Sequence, residues 1–300
     1  MKRVYVLPAN ESWIIDRFVD EWTDDNGDIT VHDPAHADVI WLLADFCWEH
    51  LPMHLLRSRQ VLTTVHHIVP EKFGARELEE FMRRDSVTTA YHVYNDRAHA
   101  QVSALTSKPI HVVRYWANQR LWRRTGTREG LRKKHGLPLD GYLVGSFQRD
   151  TEGHDLRSPK LEKGPDLLVD MLERLATRQP KLHVVLAGWR RHYVVRRLRE
   201  ARIPFTYVER PDQDAVNELY QTLDLYPVTA RHEGGPQALI EAGLLGVPVV
   251  SRPVGIAEQL LPPTAIADLV DDAIPCVPNV DGWQLPHGYA PYRKLIEGLR

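Results

Sequence analysis

The chain has 300 residues, more than a single hydrophobic core usually organises, so two domains of similar size are predicted. Hydrophobic residues make up 43% and charged residues 26% of the sequence, which is typical of a globular protein with a substantial core. The formal net charge of −2 excludes a global attraction to nucleic acid or to an anionic membrane, so such binding would require a local basic patch.

The first half of the chain alternates short apolar runs with amphipathic segments. Strands are predicted at 4–7, 39–43, 61–65, 87–91 and 110–113, and helices at 13–22, 78–83 and 98–105. This alternation predicts a parallel sheet covered by helices on both faces. We therefore predict an N-terminal Rossmann-like domain over residues 1–117, followed by a linker region, 118–138, that is dense in Arg and Lys.

The alternation is clearer in the second half, where a C-terminal Rossmann-like domain is predicted over 139–265. Its helices are predicted at 165–178, 193–201, 212–220 and 236–245, and its strands at 142–147, 182–188, 205–209, 223–228 and 247–251. Pro165 suits the first position of a helix, and Asp212 suits an N-cap. A Pro-rich crossover tail, 266–288, then leads to a C-terminal helix, 289–300, that is predicted to join the first domain.

The predicted fold class is therefore α/β, with two doubly wound domains. Ligands of such sheets bind outside the carboxyl ends of the strands. We expect the two domains to face a central cleft at these ends, and the residues that carry the chemistry to lie there.

Cysteine content and apolar segments bear on the location of the protein. Cys47 and Cys276 are the only cysteines and form neither a disulfide framework nor a zinc motif, which predicts a reducing cytoplasm. The apolar run 4–7 is too short for a signal peptide, and the stretch 38–48 is too short to span a bilayer. The histidines lack metal-site spacing. We predict a cytoplasmic protein with no transmembrane segment and no required metal.

The motif with the clearest chemistry lies between Glu233 and Glu241, directly after a predicted strand. Gly234 and Gly235 allow close approach of the backbone to a ligand, and Pro236 starts a helix whose free amides favour negative charge. Eight residues of helix rise about 12 Å, roughly the span from the sugar to the ribose of a nucleotide sugar. The alternative is an ordinary capped helix with a solvated Glu241, but the Gly-Gly-Pro sequence at a strand end favours the ligand site.

This stretch resembles the Glu-x7-Glu motif of GT-B glycosyltransferases, in particular the retaining glycosyltransferase family 4, also called glycosyl transferases group 1. The likeness extends over the whole segment 224–250 and covers about 130–262 well. The resemblance implies that Glu233 contacts the transferred sugar and Glu241 the ribose. It also assigns donor binding to the turn between them, which comprises Gly234, Gly235, Pro236 and Gln237.

The resemblance implies two further cations for the donor diphosphate. Arg149 takes the family's basic position after the first strand of the second domain, and Lys163, in Lys163-Gly164-Pro165, takes that of the family's Lys-Gly turn. Fixed cations stabilise the charge that builds up on a diphosphate leaving group. The loop between Arg149 and Lys163 is longer than the family's usual loop, so Lys160 is a further candidate. The alternative is that these are solvated loop charges.

The first domain offers candidate residues for the acceptor side. His66 and His67 follow a predicted strand, where many family members carry a histidine that faces the transferred sugar, and His67 is the catalytic candidate. The alternative, in which these histidines pair with local backbone groups, stays open. The family's glycine-rich loop after the first strand is missing here, and Asn10 and Glu11 stand in its place.

A basic run interleaved with tryptophans crosses residues 114–134. A run of this kind is usually a solvated face, and we favour that interpretation. The alternatives are peripheral contact with the inner membrane face, where a lipid-linked acceptor would lie, or contact with nucleic acid. The run comprises Arg114, Trp116, Arg120, Trp122, Arg123, Arg124, Arg128, Arg132, Lys133 and Lys134.

These features predict a retaining, metal-independent glycosyltransferase of the hexosyltransferase type. It would move a sugar from a nucleotide diphosphate sugar to a hydroxyl acceptor on a glycan, a lipid-linked molecule or another glycoconjugate. The resemblance implies a front-face mechanism in which the leaving phosphate helps to deprotonate the acceptor. Two alternatives stay open: another GT-B enzyme, such as a sugar-nucleotide epimerase or a glycogen-phosphorylase-like enzyme, and a catalytically silent sugar-nucleotide-binding module.

Overall fold

The computed structural model of the protein describes residues 1–10 and 14–300, so Glu11 and the predicted helix start at Trp13 lie outside the described residues. The chain divides into two compact units. The first unit comprises Met1–Trp116 and Gly282–Arg300, and the second comprises Ala117–Asp281. Among the described helices, none has the length and apolar character needed to cross a lipid bilayer.

The first unit alternates strands and helices, as its apolar pattern predicts. Asn95 caps one of its helices by accepting a hydrogen bond from the Ala98 amide at 2.9 Å. Short 3-10 turns lie at Pro34–His36, Asp45–His50, Pro70–Lys72 and His287–Tyr289. The strands and helices are β1 Val4–Val6, α1 Ile14–Asp25, β2 Val39–Leu42, α2 Met53–Ser58, β3 Gln60–Thr64, α3 Ala75–Asp85, β4 Ala90–Val93, α4 Asp96–Ser103, β5 Ile110–Val112 and the C-terminal helix Ala290–Gly298.

The sheet of the first unit is parallel, with its strands in the order β1-β2-β3-β4-β5. An isolated parallel bridge joins Val4 to Thr30, while the same residue pairs with Val39 on β2. The chain therefore leaves β1 on one side, reaches Thr30, and crosses back to β2 on the other side. This reversal between β1 and β2 is the switch point of a doubly wound sheet.

Helices cover both faces of this sheet. On one face the Trp41 ring contacts Trp22 of α1 at 5.1 Å and Tyr292 of the C-terminal helix at 5.3 Å between ring centroids. On the other face Phe81 of α3 stacks on Tyr91 of β4 at 5.5 Å. The C-terminal helix belongs to this unit because its aromatic side chains complete this core.

His92 lies at the centre of the first face and is fully buried. Its Nδ1 is 2.9 Å from the Thr64 hydroxyl and its Nε2 is 2.9 Å from the Val113 carbonyl oxygen. The rings of Tyr94 and Tyr292 pack edge-on against it. Burial lowers the pKa of His92 to about 3, although the hydrogen bond to Val113 opposes this shift.

The second unit repeats the alternation. Asp212 caps a helix as predicted, since its carboxylate accepts from the Ala215 amide at 2.8 Å. Short 3-10 turns lie at Leu161–Lys163, Pro263–Ala265 and Val270–Asp272. The strands and helices are α5 Arg128–Lys134, β6 Tyr142–Ser146, β7 Thr151–Glu152, β8 Ser158–Pro159, α6 Pro165–Ala176, β9 Leu182–Ala187, α7 His192–Glu200, β10 Phe205–Val208, α8 Gln213–Thr222, β11 Tyr226–Val228, α9 Gln237–Leu245, β12 Val249–Ser251 and α10 Ala257–Leu260.

The strands of the second unit form one doubly wound arrangement. Parallel pairing gives the order β10-β9-β6 and the pair β11-β12, and a parallel bridge between Val144 and Leu225 joins the two groups. The resulting order, β10-β9-β6-β11-β12, reverses between β6 and β11. Apolar side chains of α6 and α7, such as Leu172 and Val194, are buried against this sheet.

Several predicted boundaries differ from the structure. Residues 118–138 are not a free linker but part of the second unit, because α5 packs on α8 and Arg132 is buried there. The crossover tail lies mostly in the second unit, since Ile266 bridges Ser251 and Cys276 bridges Val249. The loop after β6 contains the antiparallel β7–β8 hairpin, which sequence periodicity did not predict.

Two strands begin later than predicted because the preceding helix end uses their first residues. Val87 and Thr88 donate backbone hydrogen bonds to Arg84 at the end of α3, so β4 starts at Ala90. Leu223 likewise closes α8 with a bond to Tyr220, and β11 starts at Tyr226. Apolar residues at a helix end and at a strand start look alike in sequence.

Replacing His92 by glutamine should make the protein less sensitive to acid. Because the folded-state pKa lies below the ordinary value of 6.5, the unfolded chain takes up a proton between pH 6.5 and 3 and the folded chain does not. The free energy of unfolding of the wild type should therefore fall by about 2 kcal/mol between pH 7 and pH 5, and that of His92→Gln should fall less. Urea unfolding at both pH values measures these free energies. An equal fall in the wild type and in His92→Gln would contradict the expectation.

Candidate functional site

The candidate site lies where the strand order of the second unit reverses, at the carboxyl ends of β6 and β11. β6 is followed by Phe147-Gln148-Arg149, and β11 is followed by the loop that leads through Glu233 to α9. In doubly wound sheets the loops diverge at this point and leave room for a ligand. Both segments that the sequence singled out therefore start at the same edge of the sheet.

An ion pair connects the two segments. The Lys163 ammonium lies 2.6 Å from the Glu233 carboxylate, and the two side chains are only 19% and 13% exposed. The residues are 70 positions apart in sequence. The structure thus brings together the predicted sugar-binding carboxylate and one predicted phosphate-binding cation, in a setting where water screens their charges less than at an open surface.

A glycine allows the two loops to approach each other. Gly164 has a φ of +61°, and a Cβ atom there would lie 1.9 Å from the carbonyl oxygen of Thr229. The Thr229 hydroxyl donates to the Gly164 carbonyl at 2.9 Å. The amides of Arg231 and His232 both donate to the Glu162 carbonyl. These bonds hold the Lys163 turn against the loop that carries Glu233.

Arg231 and Gln148 reinforce this arrangement, and the sequence did not single them out. The guanidinium group of Arg231 donates bidentate hydrogen bonds to the carboxylate of Asp166, at 2.8 and 2.6 Å. Burial alone would raise the pKa of Asp166, but the hydrogen bonds and charge of Arg231 hold it below its ordinary value. Gln148 donates to the Lys163 carbonyl at 2.8 Å. The only signal for Arg231 in the sequence was its position shortly before Glu233.

The other two predicted cations, Arg149 and Lys160, have contacts with neighbouring residues of their own loop and of the loop after β9. Arg149 donates from Nε to the Thr151 carbonyl at 3.0 Å, and its guanidinium carbon lies 5.4 Å from the centre of the Trp189 ring. The Lys160 ammonium is 3.6 Å from Glu162. Lys163 is the lysine candidate that forms the 2.6 Å ion pair with Glu233 described above.

The second glutamate of the motif lies inside α9. Glu241 is buried, with 9% of the residue exposed, and it accepts a hydrogen bond from the Tyr220 hydroxyl at 2.9 Å. Burial, followed by the charge of Glu241, raises the pKa of Tyr220 well above its ordinary value. The hydroxyl is therefore a donor at neutral pH, and it holds the carboxylate in place.

The turn between Glu233 and Glu241 packs closely against the backbone at Gly255. A Cβ on Gly255, which has a φ of +59°, would lie 2.8 Å from the Pro236 ring and 3.2 Å from the carbonyl oxygens of Glu233 and Gly234. The side-chain amide nitrogen of Gln237 is buried and has no hydrogen-bond partner. A buried donor of this kind is rare in folded proteins and fits an acceptor oxygen on a ligand.

A buried ion pair supports the loop after β6. Arg191 is fully buried and donates to Asp150 at 2.6 Å, to the Ser146 hydroxyl at 2.9 Å and to the Ala187 carbonyl at 3.0 Å. It also donates to the Ser146 carbonyl. Thr151 continues the network, because its hydroxyl donates to Asp150 and accepts from an amide of α7. One guanidinium thus fixes the carboxyl ends of β6 and β9 together.

The three predicted acceptor-side residues of the first unit differ from one another in burial and in hydrogen bonding. His66 is engaged at both ring nitrogens, with Nε2 2.9 Å from the Leu43 carbonyl and Nδ1 3.1 Å from the Tyr115 hydroxyl. His67 is half-buried. Asn10 is exposed with a φ of 58°, and its amide donates to Asp16 at 2.9 Å. The backbone-paired alternative therefore describes His66.

Much of the basic run is paired with carboxylates of its own unit. Arg132 is buried and contacts Asp224 at 2.7 Å, which also pairs with Arg128 at 2.7 Å. Lys134 pairs with Glu218 at 2.7 Å. These three cations help to hold α5 in place, and Arg132 is buried instead of lying on the solvated face that was expected for the run.

Comparisons with known proteins bear on the family and the fold of the chain. Residues 157–270 match the sequence model of the family described as glycosyl transferases group 1. The structure is similar to HepE of Anabaena, solved in complex with UDP and glucose, with a TM-score of 0.70 and 14% identity over 88% of this chain and 84% of that one. It is similar to sucrose-phosphate synthase of Thermosynechococcus elongatus, with a TM-score of 0.58 and 17% identity over 82% and 61%. No curated protein sequence matches.

The close approach at Gly164 predicts a large difference between two glycine substitutions. Gly164→Ala adds a clash with the Thr229 carbonyl to the cost of a left-handed alanine, whereas Gly136, with a φ of +63°, has open space around it. We expect Gly136→Ala to lower the free energy of unfolding by about 1 kcal/mol. Gly164→Ala should lower it by several times as much, or displace the Lys163 turn, as urea unfolding and crystallography would reveal. Equal losses would contradict this account.

Proposed function

We propose that the protein transfers a sugar from a nucleotide diphosphate sugar to a hydroxyl acceptor, with retention of the anomeric configuration. The proposal starts from the match of residues 157–270 to the glycosyl transferases group 1 model and from the GT-B fold. The observation that carries this proposal is the Lys163–Glu233 ion pair, 2.6 Å long, at the switch point of the second unit. In this pair Lys163 is proposed to bind phosphate, and Glu233 beside it is proposed to bind the hydroxyls of the sugar.

The donor is proposed to be a uridine diphosphate sugar. HepE, which shares the fold over 88% of this chain, was solved with UDP and glucose. A diphosphate requires cations that are held in place before the reaction, because charge accumulates on it as the glycosidic bond breaks. Lys163 and Arg149 supply this charge, and we expect no metal to be required.

The remaining donor contacts follow from the turn between the glutamates. Glu233 accepts hydrogen bonds from hydroxyls of the transferred sugar, and Glu241, held by Tyr220, accepts them from the ribose. The buried amide nitrogen of Gln237 donates to an oxygen of the donor. Buried polar groups that pair only with the correct ligand favour that ligand strongly over analogues that lack the matching group.

The proposed route to retention is front-face transfer. Glu233 pairs with Lys163, and its proposed role is to accept hydrogen bonds from the hydroxyls of the sugar. The leaving phosphate takes the proton of the acceptor hydroxyl as the new bond forms on the same face. His67 and Asn10 stay the predicted acceptor-side residues in the first unit.

Neutralising Glu233 should abolish most of the transfer activity. In Glu233→Gln the side chain keeps its size but loses the charge that orders the sugar hydroxyls, and we expect kcat to fall about 100-fold or more. Glu200→Gln is the control, because Glu200 makes only a weak, exposed ion pair with Arg196 at 3.9 Å. Release of UDP from UDP-glucose in the presence of acceptor measures the rate, and an unchanged rate in Glu233→Gln would remove the assignment.

The same assay separates the alternatives. An epimerase changes the sugar when incubated with the donor alone, and a silent module binds UDP without turnover. Both outcomes would replace the proposed transfer while leaving the donor site intact. Product anomers identified by NMR would decide between retention and inversion.

Removing the ammonium of Lys163 should weaken the binding of the diphosphate but not that of the nucleoside. Charge-assisted hydrogen bonds contribute about 1.5–3 kcal/mol, so Lys163→Met should weaken UDP binding about 10- to 100-fold and leave uridine binding unchanged. Lys181→Met is the matched control, since Lys181 makes an exposed ion pair with Asp140 at 2.8 Å. Isothermal titration calorimetry gives the affinities of the wild type and of both variants for UDP and for uridine. Equal losses for UDP and uridine would show that Lys163 does not contact phosphate.

A further inference from the structure

The amino edge of the first sheet contains a cavity of about 600 Å³ that opens to solvent. It lies where three neighbouring parallel strands begin, since Arg3 directly precedes β1, Asp38 precedes β2 and Arg59 precedes β3. The end of α2 and the 3-10 turn Pro34–His36 complete its walls. The predicted acceptor-side residues follow the carboxyl ends of these strands, so the cavity lies at the opposite edge of the sheet.

Three guanidinium groups and one carboxylate line this cavity. Asp38 lies between Arg3 and Arg59, because β2 is the middle strand of the three. Its carboxylate accepts a hydrogen bond from the Arg3 amide at 2.8 Å and lies 3.7 Å from the Arg3 guanidinium. Arg57, in the last turn of α2, is the third cation. Three cations against one carboxylate leave an excess of two positive charges in the lining.

Arg59 is held in place by backbone groups of two walls of the cavity. Its guanidinium group donates to the Ala35 carbonyl at 2.8 Å and to the Ser58 carbonyl at 3.3 Å. Its Nε is buried and has no hydrogen-bond partner among the described residues. In the part of the chain that the structure describes, no carboxylate forms an ion pair with Arg57 or Arg59. Because carbonyl groups do not neutralise a cation, Arg59 is a fixed positive charge with an unsatisfied donor, which an anion would stabilise.

We propose that this cavity binds a sugar phosphate, with the phosphate group at the three arginines. A phosphomonoester carries about −1.5 to −2 charges at pH 7, which matches the excess positive charge of the lining. Guanidinium groups pair with phosphate oxygens in a bidentate geometry, which fixes the phosphate as well as attracting it. The inference goes beyond the proposed transfer, because the cavity is at the edge of the first sheet that neither the donor nor the acceptor is proposed to occupy.

The rest of the lining favours a hydroxylated molecule over an aromatic or an apolar one. The volume exceeds that of a phosphate ion and is in the range of small-molecule sites. None of the described lining residues is aromatic, so the cavity offers no ring on which a nucleotide base could stack. Apart from Ala35 and Ala37, the lining side chains are polar or charged. The carboxylate of Asp38 and the amide group of Gln60 can form hydrogen bonds with sugar hydroxyls.

The test uses the full chain with saturating UDP, so that sugar phosphates do not bind at the proposed donor site. The probes are glucose 6-phosphate and ribose 5-phosphate, with inorganic phosphate and glucose as controls. Arg57→Gln removes one cation of the lining, and Arg97→Gln is the matched control, because Arg97 is an exposed arginine at the start of α4, near the carboxyl edge of the same sheet. Asp38→Asn removes the carboxylate but keeps a side-chain oxygen that can accept from the Arg3 amide. Calorimetry at two salt concentrations gives each affinity.

We expect at least one sugar phosphate, and not glucose, to bind the wild type in a salt-dependent way. Arg57→Gln should weaken this binding about tenfold, because a charge-assisted hydrogen bond is lost, while Arg97→Gln leaves it unchanged. Asp38→Asn should strengthen it about threefold, because a repelling charge is removed, and a loss of folding could not produce such a gain.

Three results would overturn the inference. The first is that neither sugar phosphate binds, or that inorganic phosphate binds as tightly as both of them. The second is that Asp38→Asn weakens the binding. The third is that Arg97→Gln weakens it as much as Arg57→Gln, which would place the ligand at the acceptor-side edge of the sheet.

Discussion

The ion pair between Lys163 and Glu233 exists because two loops at the switch point of the second sheet approach more closely than side chains normally permit. Gly164 makes this approach feasible, since any Cβ there would overlap the Thr229 carbonyl. The backbone bonds from the Glu233 loop to Glu162 then fix the register of the two loops. The positions of the predicted phosphate cation and the predicted sugar carboxylate both depend on this single contact between backbones.

A second constraint is the buried ion pair between Arg191 and Asp150, which acts on the neighbouring strands β6 and β9. The fully buried Arg191 binds Asp150 and the ends of β6 and β9, so its charge is neutralised and its donors are satisfied inside the protein. A buried ion pair contributes little net stability, because desolvation opposes the Coulomb attraction, but it specifies one arrangement of the groups around it. Here it fixes the segments that carry Arg149 and Arg190, two residues that are themselves only partly buried.

The apolar strand runs and the Asp212 cap were sufficient to predict the sheet of the second unit, because each is a local pattern, and the spacing of Glu233 and Glu241 singled out the edge where the donor site is proposed. The pairing of Arg132 with Asp224 was not predictable, since it joins residues far apart in sequence, and so residues 118–138 resembled a linker. The contacts of Trp189 with three arginines were missed for the same reason. Arg149, Arg190 and Arg210 follow three different strands that only the order of the strands brings together, and periodicity along the chain carries no information about that order.

The distribution of charge along the sheet edge gives the proposed donor a direction. Positive groups extend along this edge from Arg210 through Arg149 to Lys163, and Lys163 pairs with the carboxylate of Glu233. A diphosphate is attracted to the cations and repelled by Glu233, whereas neutral sugar hydroxyls can donate to that carboxylate. A nucleotide sugar is therefore favoured in one orientation, with its phosphates over β6 and its sugar beside α9.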